Sequence, residues 1–323
     1  MKTKEIKIVL ITFIIIGIIS FDNKINKFVI LLPGYYFVNN FVETDIEEKN
    51  NIEIVKTIVQ NEPNVTIYRN NGTILNLNMT DYLIGVLGAE MPVSFNIEAL
   101  KAGAIVSRTY ALKKIKNEEK LTDDVLTQVY NDGNELKNKW GNEFDKYYNK
   151  IKQAVEATKD LVITYNGELI NAMFFSTSNG YTESAKEVFG YDIPYLQSVE
   201  SNIDKETTPY LKTIEKEMSI LLNILNVTSL DNIEIVSRTS SGRVKEIKIE
   251  NKVYSGVEFR KLLGLRSTDF DINVDGKNVI ITTRGYGHGV GMSQYGANEL
   301  ANIGYSYNDI IHHYYQNVNI EKY

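Results

Sequence analysis

Three times in this chain an Asx-Gly pair interrupts a run of alternating apolar and polar residues. They are Asn71-Gly72 in VTIYRNNGTILNL, Asn166-Gly167 after LVITY, and Asp275-Gly276 in DINVDGKNVIITTR. Such a pair tolerates the positive φ that a two-residue hairpin turn demands, so each predicts two antiparallel strands. EIVSRTSSGRVKEIKIE reads as a further hairpin. Between the hairpins the apolar period lengthens to that of helices. One helix is predicted from a cap at Thr80 or Asp81 to Ala89, one from near Asn96 to Lys116, and one over residues 148–160. A fourth is predicted behind a Ser255/Glu258 capping box through Leu263, and a fifth from near Ser293. Hairpins interleaved with helices predict an α+β fold, mainly antiparallel, with helices packed around a cleft. Residues 211–283 hold their own helix and hairpins and predict a smaller α+β subdomain.

The 323 residues suffice for one large or two modest cores. Net charge is −6 and no basic stripe stands out, which argues against a nucleic-acid partner. Cysteine is absent, excluding disulfides, thiolate metal sites and a cysteine nucleophile. The three histidines, His288, His312 and His313, do not make a metal set, because neighbours on a helix point about 100° apart. No metal and no cofactor are expected. At the N-terminus Lys2, Lys4 and Lys7 precede an apolar run from Ile8 to Phe21, with no small-x-small cleavage site after it. Residues 1–27 therefore read as a cytoplasmic tail and uncleaved signal-anchor, with the body outside the cell membrane. Residues 28–62 read as a juxtamembrane segment and linker, and residues 63–323 as the folded region.

Four segments carry the chemistry. In GVLGAEMPVSFNIEALKAGAIVSRTY, Glu90 ends an apolar helix, and Lys101 and Arg108 sit seven apart on the next, on one stripe. An acid opposite two cations suits a cleft for a polar or anionic polymer; the alternative is a helical hairpin with solvated charges. FFSTSNGYTES presents Ser176 and Ser178 in a turn, without the G-x-S-x-G of a serine hydrolase. IPYLQSVESNIDKE brings Tyr195 and Asp204. RGYGHGVGMSQYGANELA places His288 among four glycines, with Gln294 at the start of a helix. It lacks the G-x-x-x-x-G-K-[ST] of a phosphate loop, so a histidine lining a cleft is the better reading.

Taken together, GAEMP with EALKAGAIVSRTYAL, QVY at 128–130, FFSTSNGYTES, PYLQSV with Asp204, and GYGHGVGMSQYGANELA ending in IIHHYY resemble the stage II sporulation protein D family. These are membrane-anchored cell-wall enzymes of endospore-forming bacteria. The resemblance runs over roughly residues 63–323. It implies a lytic transglycosylase that cuts the MurNAc–GlcNAc bond of peptidoglycan glycan strands. Glu90 falls on the family's catalytic glutamate. Lys101, Arg108, Tyr195 and Asp204 fall on supporting positions, and Ser176, Ser178, His288 and Gln294 are further substrate-binding candidates. A cysteine/histidine metal site found in some relatives is not carried over. The resemblance also implies strands stripped of stem peptides as substrate, and a cell-wall amidase and other membrane engulfment proteins as partners. It implies a place in the mother-cell membrane facing the forespore. Two alternatives stay open: a hydrolytic muramidase using a second carboxylate such as Asp204, and a non-catalytic wall-binding amidase enhancer.

Overall fold

The computed structural model describes the backbone of residues 18–22, 27–32 and 35–40, and residues 62–323 in full. Residues 1–61 form a unit of their own, containing three antiparallel strands, Ile18–Asp22, Lys27–Leu32 and Tyr35–Asn40. The expected tail and most of the signal-anchor lie outside the described residues. The last part of the apolar run, Ile18–Phe21, belongs to the first strand and not to a helix. No helix among the described residues is long and apolar enough to cross a membrane.

The second unit, Glu62–Tyr323, is the expected mixture of helices and mainly antiparallel sheets. Its helices are α1 (Met79–Glu90), α2 (Ile97–Lys116), α3 (Gly133–Trp140), α4 (Phe144–Ala157), α5 (Ala185–Phe189), α6 (Met218–Leu225), α7 (Gly256–Leu263), α8 (Gln294–Asn302) and α9 (Tyr307–Tyr314). Side chains set their starts. Asn78 accepts from the Asp81 N–H, so α1 begins earlier than a cap at Thr80 or Asp81 would allow. Asn96, Ser255 and Ser293 cap α2, α7 and α8 where the sequence predicts. Helix α4 lies a few residues before the predicted 148–160, and α3, opened by the Asp132/Glu135 capping box, was not anticipated.

Two cores result. The first joins α1, α2, α4, α8 and α9 through Tyr82, Leu87, Leu100, Ile105, Leu112 and Tyr314, all fully buried. The second joins α6 and α7 to two three-stranded antiparallel sheets through Leu221, Ile247, Phe259, Phe270, Val279 and Ile281. Strand Asn278–Arg284 shows why: Val279, Ile281 and Thr283 alternate as buried positions with more exposed neighbours. Each such aliphatic residue contributes about 1.5–3 kcal/mol by leaving water.

The turn at Asn166-Gly167 has positive φ at both positions, as a two-residue hairpin requires. The other two turns differ from expectation. Tyr68 pairs with Ile74, giving a longer loop around Gly72, and Asp275 pairs with Asn278, so that turn is Gly276-Lys277. The strand after the Asn166-Gly167 turn is short, Glu168–Leu169. Phe174 and Phe175 instead pair in parallel with Met292 and Ser293, which ties the serine-rich segment to the glycine-rich one.

Candidate functional site

Glu90 is the last residue of α1, at the negative end of the helix dipole. Behind it stand Leu87, Met91, Gly103, Val106, Ser107, Phe174, Met292 and Gln294. Burial among these raises the Glu90 pKa above the usual carboxylate range. The Val129 N–H, donated to Oε1 at 2.8 Å, and the Lys139 ammonium work against that rise. Lys139 also donates to the Gly88 and Ala89 carbonyls at 2.8 and 3.2 Å, closing the end of α1. The Val129 donor is itself held in place. Arg69 binds Asp123, Asp132 and Glu135 at 2.7–2.9 Å, and the Tyr82 hydroxyl donates to Gln128 at 2.8 Å.

In front of Glu90 opens a cleft of about 630 Å³. Tyr110 and the exposed Val125 and Leu126 form one side. The 172–176 segment, with Met173, Phe174, Phe175 and Ser176, forms the floor. Arg260, Tyr286, Gly287, His288 and Gln294 complete it. Among the described residues lining this cleft, Glu90 is the only carboxylate. Arg260 and His288 also line a neighbouring cavity of about 490 Å³. Gly289 and Gly291 need to be glycine. Both have positive φ, and a Cβ on Gly291 would lie 2.0 Å from the Met173 carbonyl, one on Gly289 2.7 Å from the Arg243 guanidinium.

Of the residues singled out in sequence, Glu90, Ser176, His288 and Gln294 meet in the cleft. Gln294 donates to the Glu90 carbonyl at 3.4 Å. The His288 ring accepts from the Val290 N–H at 3.1 Å and also hydrogen-bonds the Phe174 main chain. Burial, with Arg260 and Arg243 nearby, pushes its pKa down to about 4, so the ring is neutral at neutral pH.

The others do not reach the cleft. Lys101 and Arg108 do share a stripe of α2, but residues Gly103, Val106 and Ser107 are the ones that face Glu90, about half a turn round the helix. Lys101 pairs with Glu98 at 2.7 Å and lies near the Tyr307 ring. Arg108 is fully buried. It donates to the Thr158, Leu161 and Val155 carbonyls and sits 2.7 Å from Glu62, in a geometry short of a hydrogen bond. Tyr195 accepts the Asn171 N–H at 2.9 Å, steadying the chain that leads into the cleft floor. Asp204 is fully buried and accepts from Ser178, Ser201 and Ser293 hydroxyls at 2.9, 2.5 and 2.6 Å. Burial raises its pKa while these donors oppose the rise. Ser178 is likewise an internal tie. Lys101, Arg108, Ser178, Tyr195 and Asp204 thus do not line this cleft, and each is held by contacts within the body.

Lys139, Arg260 and Tyr286 went unnoticed in sequence. The D-x-x-E pattern at Asp132–Glu135 was the available signal for α3 and hence for Lys139. Tyr286 stood inside the glycine-rich motif, and Arg260 gave no signal beyond being a cation on an amphipathic helix. The remaining histidines are not in the cleft lining; His312 and His313 bind the Asn308 and Glu200 carbonyls.

A family profile described as stage II sporulation protein matches residues 68–165, and one described as a domain of unknown function (DUF8618) matches residues 134–291. Stage II sporulation protein D of Bacillus amyloliquefaciens is 38% identical over 302 residues, covering 90% of this chain and 86% of that protein. The protein of the same name from Bacillus subtilis (strain 168) is 36% identical over 296 residues, covering 87% and 85%. An amidase enhancer of Bacillus subtilis (strain 168) is 30% identical over 298 residues, which is 75% of this chain but 40% of that protein. The chain belongs to the stage II sporulation protein D family.

Proposed function

We propose that this chain is a lytic transglycosylase that cuts the MurNAc–GlcNAc bond of peptidoglycan glycan strands. The observation that carries the reading is a cleft of about 630 Å³ with aromatic and aliphatic walls and Glu90 as its one carboxylate among the described residues. Hydrolysis by acid plus nucleophile or base requires two carboxyl groups flanking the bond. The best sequence candidate for a second one, Asp204, is sealed away with its serine donors. One carboxyl group suffices if the nucleophile belongs to the substrate. Glu90, its pKa raised by burial, gives its proton to the glycosidic oxygen as the C1–O bond breaks. The C6 hydroxyl of the same sugar then bonds to C1, and the Glu90 carboxylate takes the hydroxyl proton. The product carries a 1,6-anhydro ring, and Glu90 is protonated again. An internal nucleophile acts at high effective concentration. The Val129 N–H stabilises the carboxylate in the intermediate stage, and Lys139 keeps its basicity moderate.

In the same reading the substrate is strand stripped of stem peptides. The working partner is a cell-wall amidase, which the amidase-enhancer relative supports. Residues 63–323 are the catalytic region, with 211–283 a subdomain. Residues 8–21 anchor the chain in the mother-cell membrane, with the body outside it and facing the forespore. Protease added to protoplasts of the expressing cell should remove the body; full protection would refute that placement. The activity is tested by digesting purified, peptide-free strands with the whole chain and weighing the products. Anhydro ends, lighter than reducing ends by one water, are expected, and Glu90→Gln should abolish them, a loss of at least about 10²-fold. Reducing ends, or an active and folded Glu90→Gln protein, would refute the reading.

A further inference from the structure

The described residues include seven arginines, and four have carboxylate partners. Arg69 has three, Arg108 has Glu62, and Arg238 and Arg284 share Asp269 and Asp271. The other three, Arg243, Arg260 and Arg266, have no carboxylate at ion-pair distance among the described residues. All three gather on one stretch, residues 286–289. Arg266 lies over the Tyr286 ring at 5.1 Å, and Arg243 packs against Gly289. Arg260 stands with His288 where the Glu90 cleft and the neighbouring cavity meet. Arg260 is anchored only through Nε, which donates to the Leu265 carbonyl at 3.2 Å. Its two terminal nitrogens have no protein partner among the described residues. Arg243 is 3% exposed, and its Nε is buried without an acceptor. The carboxylate nearest in charge to it, Glu183, is spent on Thr239, Ser241 and the Ser184 N–H.

Arg243 feels the charges of Glu183, Asp269 and Asp204 and donates through Nη1 to the Tyr181 carbonyl and the Ser241 hydroxyl at 3.0 and 2.8 Å, so Arg260 is the sheltered cation that lacks a counter-ion, a costly state that a neighbouring guanidinium worsens. A ligand anion reaching Arg260 from the Glu90 cleft removes that penalty; the neighbouring cavity, lined by Glu183, Glu187 and Glu246, does not favour one. The neutral His288 ring beside them adds no third charge. We propose that Arg260, backed by Arg243, is a carboxylate-binding subsite of the cleft. It would bind the lactyl carboxylate of a MurNAc residue of the strand. The planar fork of a guanidinium matches a carboxylate in two parallel hydrogen bonds. This inference rests on the glycan reading above. It transfers to Arg260 the anion contact that the sequence suggested for Lys101 and Arg108.

The test uses the whole chain carrying Glu90→Gln, so that binding is read without cleavage. Calorimetry compares peptide-free strands with the same strands whose lactyl carboxylates are converted to methylamides. A third arm uses strands that keep their stem peptides, whose own carboxylates are the other source of this chemistry. The free acid should bind about tenfold to a hundredfold more tightly than the methylamide. Adding Arg260→Gln should erase that difference. Arg260→Lys, which keeps the charge but loses the fork, should keep only part of it, and it decides the matter if the glutamine variant does not fold. Equal binding of acid and methylamide, or a difference that survives both substitutions, overturns the subsite. Tighter binding of peptide-bearing strands, lost with Arg260→Gln, would also overturn it by assigning the contact to the peptide. If no strand binds at all, it is the glycan reading itself that fails.

Discussion

Replacing Arg108 by alanine distinguishes a structural cation from a substrate-binding one. In the folded chain its guanidinium is wholly enclosed, donates to three carbonyls at 2.7–3.4 Å and faces Glu62, itself only 9% exposed at the side chain. Truncation leaves Glu62 buried without its counter-charge and three carbonyls short of a donor. Breaking a buried pair from one side costs about 3–5 kcal/mol. For a body of this size that lowers the melting temperature by about 10 °C. Removing both charges should be far milder. Burial raises the Glu62 pKa and lowers that of Arg108 despite their mutual attraction, so the pair sits at a net electrostatic disadvantage. The combined Glu62→Gln and Arg108→Met protein is therefore expected to recover more than half of the loss. The assay is urea unfolding of the native chain, Arg108→Ala, Arg108→Met and the combined protein, alongside glycan turnover per folded molecule. An unchanged midpoint with turnover cut tenfold by Arg108→Ala would refute the structural assignment.

Other outcomes follow from the same geometry. Lys139→Met removes a cation that favours ionised Glu90, so the acid stays protonated to higher pH. The alkaline limb of the pH–rate profile should move upward, and a fixed limb would refute the coupling. His288 takes a proton near pH 6.5 when unfolded and only near about 4 when folded. The unfolded state thus binds more protons in between, and stability should fall as pH drops through that window, by about 3 kcal/mol in all. His288→Asn should flatten that dependence, and an unaltered slope in urea titrations would count against it. Gly291→Ala forces a Cβ onto the Met173 carbonyl at a positive φ and should cost about 3 kcal/mol or more in the same titrations.

What could be read from the sequence was local. The caps at Asn96, Ser255 and Ser293 and the turn at Asn166-Gly167 involve neighbours in the chain, and they form where the pattern puts them. Glu90 was legible because a helix end and a motif coincide. The surroundings of the two helix cations were not legible, because a seven-residue spacing fixes a shared face without telling what covers it. Here the covering is the chain around Thr158 and Leu161, some fifty positions away. The burial of Asp204 was illegible for the same reason, since its serine partners at 178 and 293 come from distant segments. Arg260 looked like any solvated cation of a short helix until the two cavities were seen to meet at it.

The Asp204 cluster has a bearing on how this body opens and closes. Its acceptors are satisfied only when Ser178, Ser201 and Ser293 have all arrived, and Ser201 is bonded in turn to the Tyr314 hydroxyl. A carboxylate left without them is a buried charge in an apolar setting, so partial assembly gains little. The floor of the cleft, the glycine-rich segment and the C-terminal helices are thereby welded into one cooperative unit, instead of fraying separately as terminal elements commonly do. Their amide protons should exchange with solvent at a common, slow rate. These contacts join segments up to 113 positions apart, the non-local kind whose closure slows folding.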